Sequence, residues 1–417
     1  MDQNGTWFTK KRLPIYRYET RKRKKSSDQT ADFSWDDLNQ DLLERVLSWL
    51  PTSSFFRLRS VCKRWSSVSL SKTFMLACSQ VPKREPWFYM VDPNCSKPII
   101  YDTAQSKWCN INHPELLETN NGLLPVASSG GLLCFRSFSG EFFISNPVSG
   151  SHRKLPHVDI EDTVHAIAMS SSSLSSYKLI LVHGDPSSLT VKTFDSTLDH
   201  WTVSMLHRKT KFQQLALPES GDEYGDETLY YLSKAGDVVA TDMQRSPSKQ
   251  FSSVVITEKN GNEVLYFLSQ SGRVVGCNLS EGFWYEYPKI LPPFFEHSLD
   301  LVECRGEMLV VVMSELLESA SLRVWRFSEE KGLWVQVGAI PPSMSHEFYG
   351  KKADINCVGH GNLIMVCVSS VSCGFNCEVL CNLEENSWVE LPECFISGKP
   401  KEFVSAFSFE PRLEACV

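Results

Sequence analysis

In the run Asp41-Leu42-Leu43-Glu44-Arg45-Val46-Leu47-Ser48-Trp49-Leu50-Pro51, the residues Leu42, Leu43, Val46, Leu47 and Leu50 recur at steps of one, three and four. That spacing gathers them on one side of a helix. Pro51 ends the helix, since its ring crowds the helical conformation of the residue before it. Thr52 or Ser53 is then expected to cap a second helix carrying Phe55, Phe56 and Leu58, by accepting bonds from its first-turn N–H groups. Val61, Cys62, Trp65 and Val68 continue the apolar stripe, with Lys63 and Arg64 beside them. Three short helices are expected within residues 33–78. A module of roughly 45 residues is too small for a self-sufficient core, so its leucine face is expected to be completed by another protein. The competing reading is a cap that closes only onto the rest of its own chain.

From Trp87 onward the pattern changes to short apolar or alternating runs broken by Gly, Ser, Asn and Asp, which reads as strands and tight turns over residues 86–411. One phrase recurs: a strand ending near Asp or Asn, a polar turn, then Trp or another large residue, often followed by Leu-Pro or a close variant. It appears as Ile100-Tyr101-Asp102 with Trp108, Ile144-Ser145-Asn146 with Leu155-Pro156, Thr193-Phe194-Asp195 with Trp201, and Ala240-Thr241-Asp242 with Phe251. It returns as Gly276-Cys277-Asn278 with Trp284 and Tyr287-Pro288, Trp325-Arg326-Phe327 with Trp334, and Leu380-Cys381-Asn382 with Trp388 and Leu391-Pro392. Trp284 to Trp334 is 50 residues and Trp334 to Trp388 is 54, the length of one four-stranded propeller blade. Such a blade cannot bury both faces alone, so blades stacked around a channel complete one another. Seven markers favour seven blades; degenerate repeats leave six open. The alternating Phe403-Val404-Ser405-Ala406-Phe407-Ser408-Phe409 is expected to join the first blade and close the ring.

Leu38 through Phe74, with Leu-Leu-Glu-Arg-Val-Leu-Ser-Trp-Leu-Pro and then Phe-Arg-Leu-Arg-Ser-Val-Cys-Lys-Arg-Trp, closely resembles the F-box. Gly272-Arg273-Val274-Val275-Gly276-Cys277-Asn278-Leu279 with Tyr285-Glu286-Tyr287-Pro288 resembles the kelch propellers of plant F-box proteins, in particular the Unusual floral organs group. The resemblance implies a small all-α F-box module followed by an all-β kelch-type propeller. It also implies that the helices dock on a Skp-type adaptor and through it a cullin, while the propeller holds a protein client for a ubiquitin ligase. A non-degradative scaffold or transcriptional cofactor is the alternative. Carried over by position, the adaptor-facing residues would be Leu38, Leu42, Leu43, Val46, Leu47, Leu50, Pro51, Val61, Cys62 and Trp65. The family usually has Leu-Pro where this chain has Leu38-Asn39.

The charge of the 417-residue chain is uneven: residues 1–30 hold nine Lys/Arg against three acids, leaving 33 basic and 46 acidic residues elsewhere. An acidic body disfavours direct nucleic-acid binding, where cations on phosphates supply most of the affinity, and points to a protein partner. Lys10-Lys11-Arg12 and Arg21-Lys22-Arg23-Lys24-Lys25 fit a nuclear-import signal, with a solvating basic tail over residues 1–32 as the other reading, so the expected location is nucleus and/or cytoplasm. No run of about 18 apolar residues is present, so no membrane partner is expected. Fourteen cysteines at irregular spacings, many within apolar runs, suit a reducing compartment. Cys373, Cys377 and Cys381, four apart, do not converge as zinc ligands do. No nucleophile elbow, P-loop, HExxH or dinucleotide fingerprint occurs, and no cofactor, metal or catalytic residue is expected. The acidic tract at 217–227 and the serines at 170–176 are the long polar connections expected between strands.

Overall fold

The computed structural model describes residues 38–92, 98–111, 123–160, 162–185, 188–211, 229–232, 238–241, 253–257, 261–269, 272–290, 297–316, 319–370, 372–396 and 398–417, with the backbone alone over 229–232 and 238–241 and at 297 and 316. Four short helices come first: α1 (Gln40–Ser48), α2 (Thr52–Leu58), α3 (Lys63–Val68) and α4 (Lys72–Ser79). The fourth was not expected. Ser71 starts it by accepting the Phe74 N–H at 3.4 Å, and Phe74 and Cys78 then turn into the module's interior. Asn39 caps α1 by accepting the Asp41 N–H at 3.2 Å, so it terminates the helix in place of the family's proline. The expected cap of α2 is corrected: Pro51 holds the cap position without a side-chain bond, and the Thr52 hydroxyl donates instead to the Pro411 carbonyl at 2.6 Å.

Six four-stranded antiparallel blades follow among the described residues, four as separate sheets and two joined into one eight-stranded sheet by a short parallel pairing of His207 and Arg208 with Phe283 and Trp284. Blade 1 spans residues 87–110, blade 2 residues 124–154, blade 3 residues 164–208, blade 4 residues 253–286, blade 5 residues 297–339 and blade 6 residues 354–390. Each runs outward in chain order, except that the inner strand of blade 1 is the carboxy-terminal Ser405–Phe409. It pairs Phe409 with Trp87 and Phe407 with Tyr89. The six inner strands pack each against the next, from blade 2 round to Ser405–Phe409 and back to blade 2, which closes the ring. The marker at Ala240-Thr241 falls on a separate two-stranded pair, Leu229–Leu232 with Val238–Thr241, so it does not mark a four-stranded sheet of its own. Asp242 and Phe251 lie outside the described residues.

Between neighbouring blades lie six apolar cores, and the recurring aromatic phrase is built into them. Trp108 in blade 1 donates its indole N–H to the Pro392 carbonyl of blade 6 at 2.7 Å. Trp201 donates to Pro156 at 3.0 Å and Trp334 to Pro288 at 2.8 Å, each reaching the Pro of the preceding blade's Leu-Pro or Tyr-Pro. In these three blades the Trp fills the outer gap and latches it with one hydrogen bond, whereas the buried indole N–H groups of Trp284 and Trp388 make none. Nearer the axis the inner strands of blades 5 and 6 run very close together. A Cβ on Gly359 would sit 1.8 Å from the Glu303 carbonyl oxygen, so only glycine fits there.

One carboxylate inside this frame is out of keeping with neutral water. Glu378, on Phe375–Asn382 of blade 6, is buried, and burial pushes its carboxyl up to about 7, with Glu390, Glu393 and Glu402 adding to the rise. The folded state thus holds this proton more tightly than the unfolded chain does. Stability should fall as pH rises from the ordinary glutamate range to about 7 and level off above it, by roughly 2–4 kcal/mol. Glu378→Gln is expected to be more stable than the parent at pH 8, with the gap closing towards pH 5. Urea unfolding across that range checks it, and parallel curves for the two proteins would refute it.

Candidate interaction face

The apolar residues of α1 divide between two sides of the helix. Leu43 and Leu47 point inward and form the module's core with Phe55, Val68, Phe74 and Cys78. Phe55 stacks on Phe74 with ring centroids 4.8 Å apart. Leu38, Leu50 and Trp65 are half-buried against this core. Leu43 and Leu47, expected to face the adaptor, are thus 1 and 2 % exposed and lie within the module's own core. On the other side Leu42, Val46 and Trp49 are 55, 54 and 63 % exposed, and their spacing places them along one stripe. Pro51, Val61 and Cys62 are exposed as well. Trp49, Leu70 and Leu76 were not anticipated, although all three are strongly exposed apolar residues. Trp49 was legible as the i+3 neighbour of Val46 and the i+7 neighbour of Leu42.

The face is held still by bonds at its back. Arg64 reaches across from α3 to the Leu38 carbonyl and, at 3.2 Å, to Gln40 Oε1, fixing the start of α1. Arg84 donates to the Ser48 and Leu50 carbonyls at 3.0 and 3.2 Å, placing a cation at the negative end of α1. Glu44 is buried beneath α1. Desolvation works against its charge, yet bonds from Thr73 and Gln40, with Ser71 nearby, hold the carboxyl below its ordinary range.

The module also docks on its own propeller, so the cap reading holds for one side of it. Gln105 at a blade 1 turn bonds Arg57 at 2.7 Å and Ser54 at 3.3 Å. Beyond the closing strand the chain runs back beneath the helices, and Leu413 packs on their core. Arg412, almost fully buried, donates to Glu410 at 2.6 Å, to Glu414 at 3.0 Å, and to the Val81 and Pro82 carbonyls at 3.1 Å each. Asn146 of blade 2 clasps the same segment by donating to the Arg412 and Ala415 carbonyls at 2.9 Å. One side of the module is thus sealed and the stripe through Leu42, Val46 and Trp49 is left open.

Elsewhere the described residues assemble no group of His, Cys, Asp and Glu able to hold a metal ion. Cys377 and Cys381 are buried on one strand, where burial pushes their thiols up to about 12, while Cys373 is exposed. Buried His165 donates to the Gly184 carbonyl at 2.6 Å, a structural bond. The serine run is corrected from a long connection to the tip of a hairpin, Val164–Ser173 against Ser176–Asp185. The candidate import residues Lys10, Lys11, Arg12, Arg21, Lys22, Arg23, Lys24 and Lys25 lie outside the described residues, as does the acidic tract at 217–227. No helix among the described residues is long and apolar enough to cross a membrane.

A small helical module with one sealed and one open apolar side, carried on a closed propeller, defines an adaptor-type protein. A family model described as the F-box domain matches residues 35–76, and one described as the KIB1-4 beta-propeller matches residues 100–355. The chain belongs to the F-box proteins that carry this propeller. It is 45% identical to F-box only protein 13 of Arabidopsis thaliana, over 99% of this chain and 93% of that protein. It is 24% identical to Protein UNUSUAL FLORAL ORGANS of Arabidopsis thaliana, over 91% of this chain and 85% of that protein. A further Arabidopsis thaliana relative, named an F-box/kelch-repeat protein, is 24% identical over 92% of this chain and 88% of its own length.

Proposed function

We propose that the chain is the substrate-recognition subunit of an SCF-type ubiquitin ligase, in which the F-box binds a Skp-type adaptor, and through it a cullin, while the propeller binds a protein client. The observation that carries this reading is the exposed stripe Leu42, Val46 and Trp49 on a helix whose opposite side already completes the module's core. An apolar stripe with its own interior satisfied is free for a foreign subunit. The contribution to the reaction is proximity: holding client lysines near an activated donor turns a bimolecular encounter into an effectively unimolecular one.

The test is Leu42→Asp with Val46→Asp in the full chain, co-purified with a Skp-type adaptor. Two buried anions at an interface centre should weaken binding by about thirtyfold or more, at an unchanged thermal midpoint because both side chains already face water. Undiminished binding would overturn the reading. Leu47→Asp is the contrasting variant: it should unfold the module itself, because Leu47 is internal.

A further inference from the structure

The outer strand of blade 3, His200–Arg208, is the longest outer strand among the described residues, with nine residues. It is antiparallel to Ser188–Asp195, pairing Thr193 with Thr202 and Val191 with Ser204. At its far end the His207 N–H bonds the Gly282 carbonyl of blade 4 at 3.0 Å, and the Lys209 N–H bonds Trp284 at 2.8 Å. Odd-numbered residues of this strand therefore aim their backbone groups away from Ser188–Asp195. By the same alternation the N–H and C=O of Trp201, Val203 and Met205 face outward, and no strand among the described residues pairs with that edge over 200–206.

On one face of this strand the side chains are apolar, while Thr202 and Ser204 are exposed on the other. Val203 and Met205 are 63 and 62 % exposed, on the same face as Trp201, which is tucked against blade 2. Beyond them come three exposed cations, Arg208, Lys209 and Lys211. Arg208 stacks on Trp284, Lys209 on Phe283 and Lys211 on Tyr285. Two carboxylates pair with this cluster, Glu286 with Arg208 and Arg273 at 3.5 Å, and Glu329 with Lys211 at 2.9 Å. The cations outnumber them in a chain whose net charge is -7.

We infer that the edge at residues 200–206, which no strand among the described residues pairs, is a strand-addition site for an extended client segment with apolar residues at alternate positions and acidic residues at the end nearest the Arg208 and Lys209 side chains. Blade 4 already adds a parallel strand to the last residues of this same edge, so the backbone geometry for augmentation is in place. Outward N–H and C=O groups supply the ladder, Val203 and Met205 the apolar contacts, and the cations fix the register by charge. The aromatic faces of the cluster are occupied by its own cations, which favours a peptide over a nucleic acid that would need those faces for stacking. This inference rests on the propeller being the client-bearing part. Its test needs no adaptor, so it fails separately from the Leu42 and Val46 test.

The probe is a fluorescent synthetic peptide alternating Val and Thr and ending in a run of Asp and Glu, titrated against the purified full chain by polarisation. Val203→Pro removes an outward donor and leaves the ladder to Ser188–Asp195 intact, because Val203 does not donate in that direction. Val203→Pro, and separately Arg208→Glu with Lys209→Glu, should each weaken binding about tenfold, and only the second should change the salt dependence. Met205→Lys serves if Val203→Pro unfolds. No saturable binding, binding unchanged by the edge variants, equal binding of a Lys-ending peptide, or displacement by oligothymidylate without an effect of the edge variants would each overturn it.

Discussion

Removing residues 403–417 is expected to leave the protein insoluble. Phe403 and Phe409 are fully buried, and Ser405–Phe409 is the inner strand of blade 1. Losing one buried Phe costs about 3–5 kcal/mol, so two of them approach the whole stability of an ordinary domain of about 5–15 kcal/mol. The deletion also exposes the edge of Trp87–Val91 and opens the cores on both sides of blade 1, in which Phe407 and Phe409 or Phe403 and Ala406 take part. An unpaired, aromatic-rich edge invites association with other chains. The check is the soluble fraction and size-exclusion profile after expression. A soluble monomer that unfolds cooperatively would show that the ring does not depend on its last strand.

Arg412→Ala should be strongly destabilising although the residue lies outside the blades. Its guanidinium serves four acceptors on two stretches of chain, and without it the half-buried carboxylates of Glu410 and Glu414 lose their shared cation. Removing one partner of a buried ion group costs about 3–5 kcal/mol, far more than a surface pair such as Arg153 with Asp199, worth about 0–1 kcal/mol. Arg412→Lys should restore little, since a compact ammonium lacks the fork needed to reach Glu410, Glu414 and the two carbonyls together. Urea unfolding of the three proteins, with Arg153→Ala as the control, measures this. A loss below about 1 kcal/mol in Arg412→Ala would mean that the clasp is dispensable.

The helical module was legible because Leu42, Leu43, Val46, Leu47 and Leu50 keep helical spacing up to a proline. Which of them face outward was not legible, since the five span more than one face and the choice depends on Phe55, Val68 and Phe74 arriving from later helices. The fourth helix was missed because Phe74-Met75-Leu76-Ala77 is a continuous apolar run without a clear period. In the propeller the Trp and Leu-Pro phrase was readable as a repeat. Its physical reason, an indole donating to the carbonyl of the preceding blade's proline, required Trp108 and Pro392 to meet across 284 residues. Arg412 gave no local signal, because the carbonyls it serves lie more than three hundred residues away.

That separation sets a schedule for synthesis. The amino-terminal helices leave the ribosome early, yet the arginine that ties their sealed side to the rest of the molecule is 331 residues beyond Val81. At about 5–20 residues per second, roughly a quarter of a minute to a minute passes with that underside bare. Through that interval the newborn chain exposes apolar surface on both sides of these helices, a hazard for association with other chains that narrows once Arg412 has emerged.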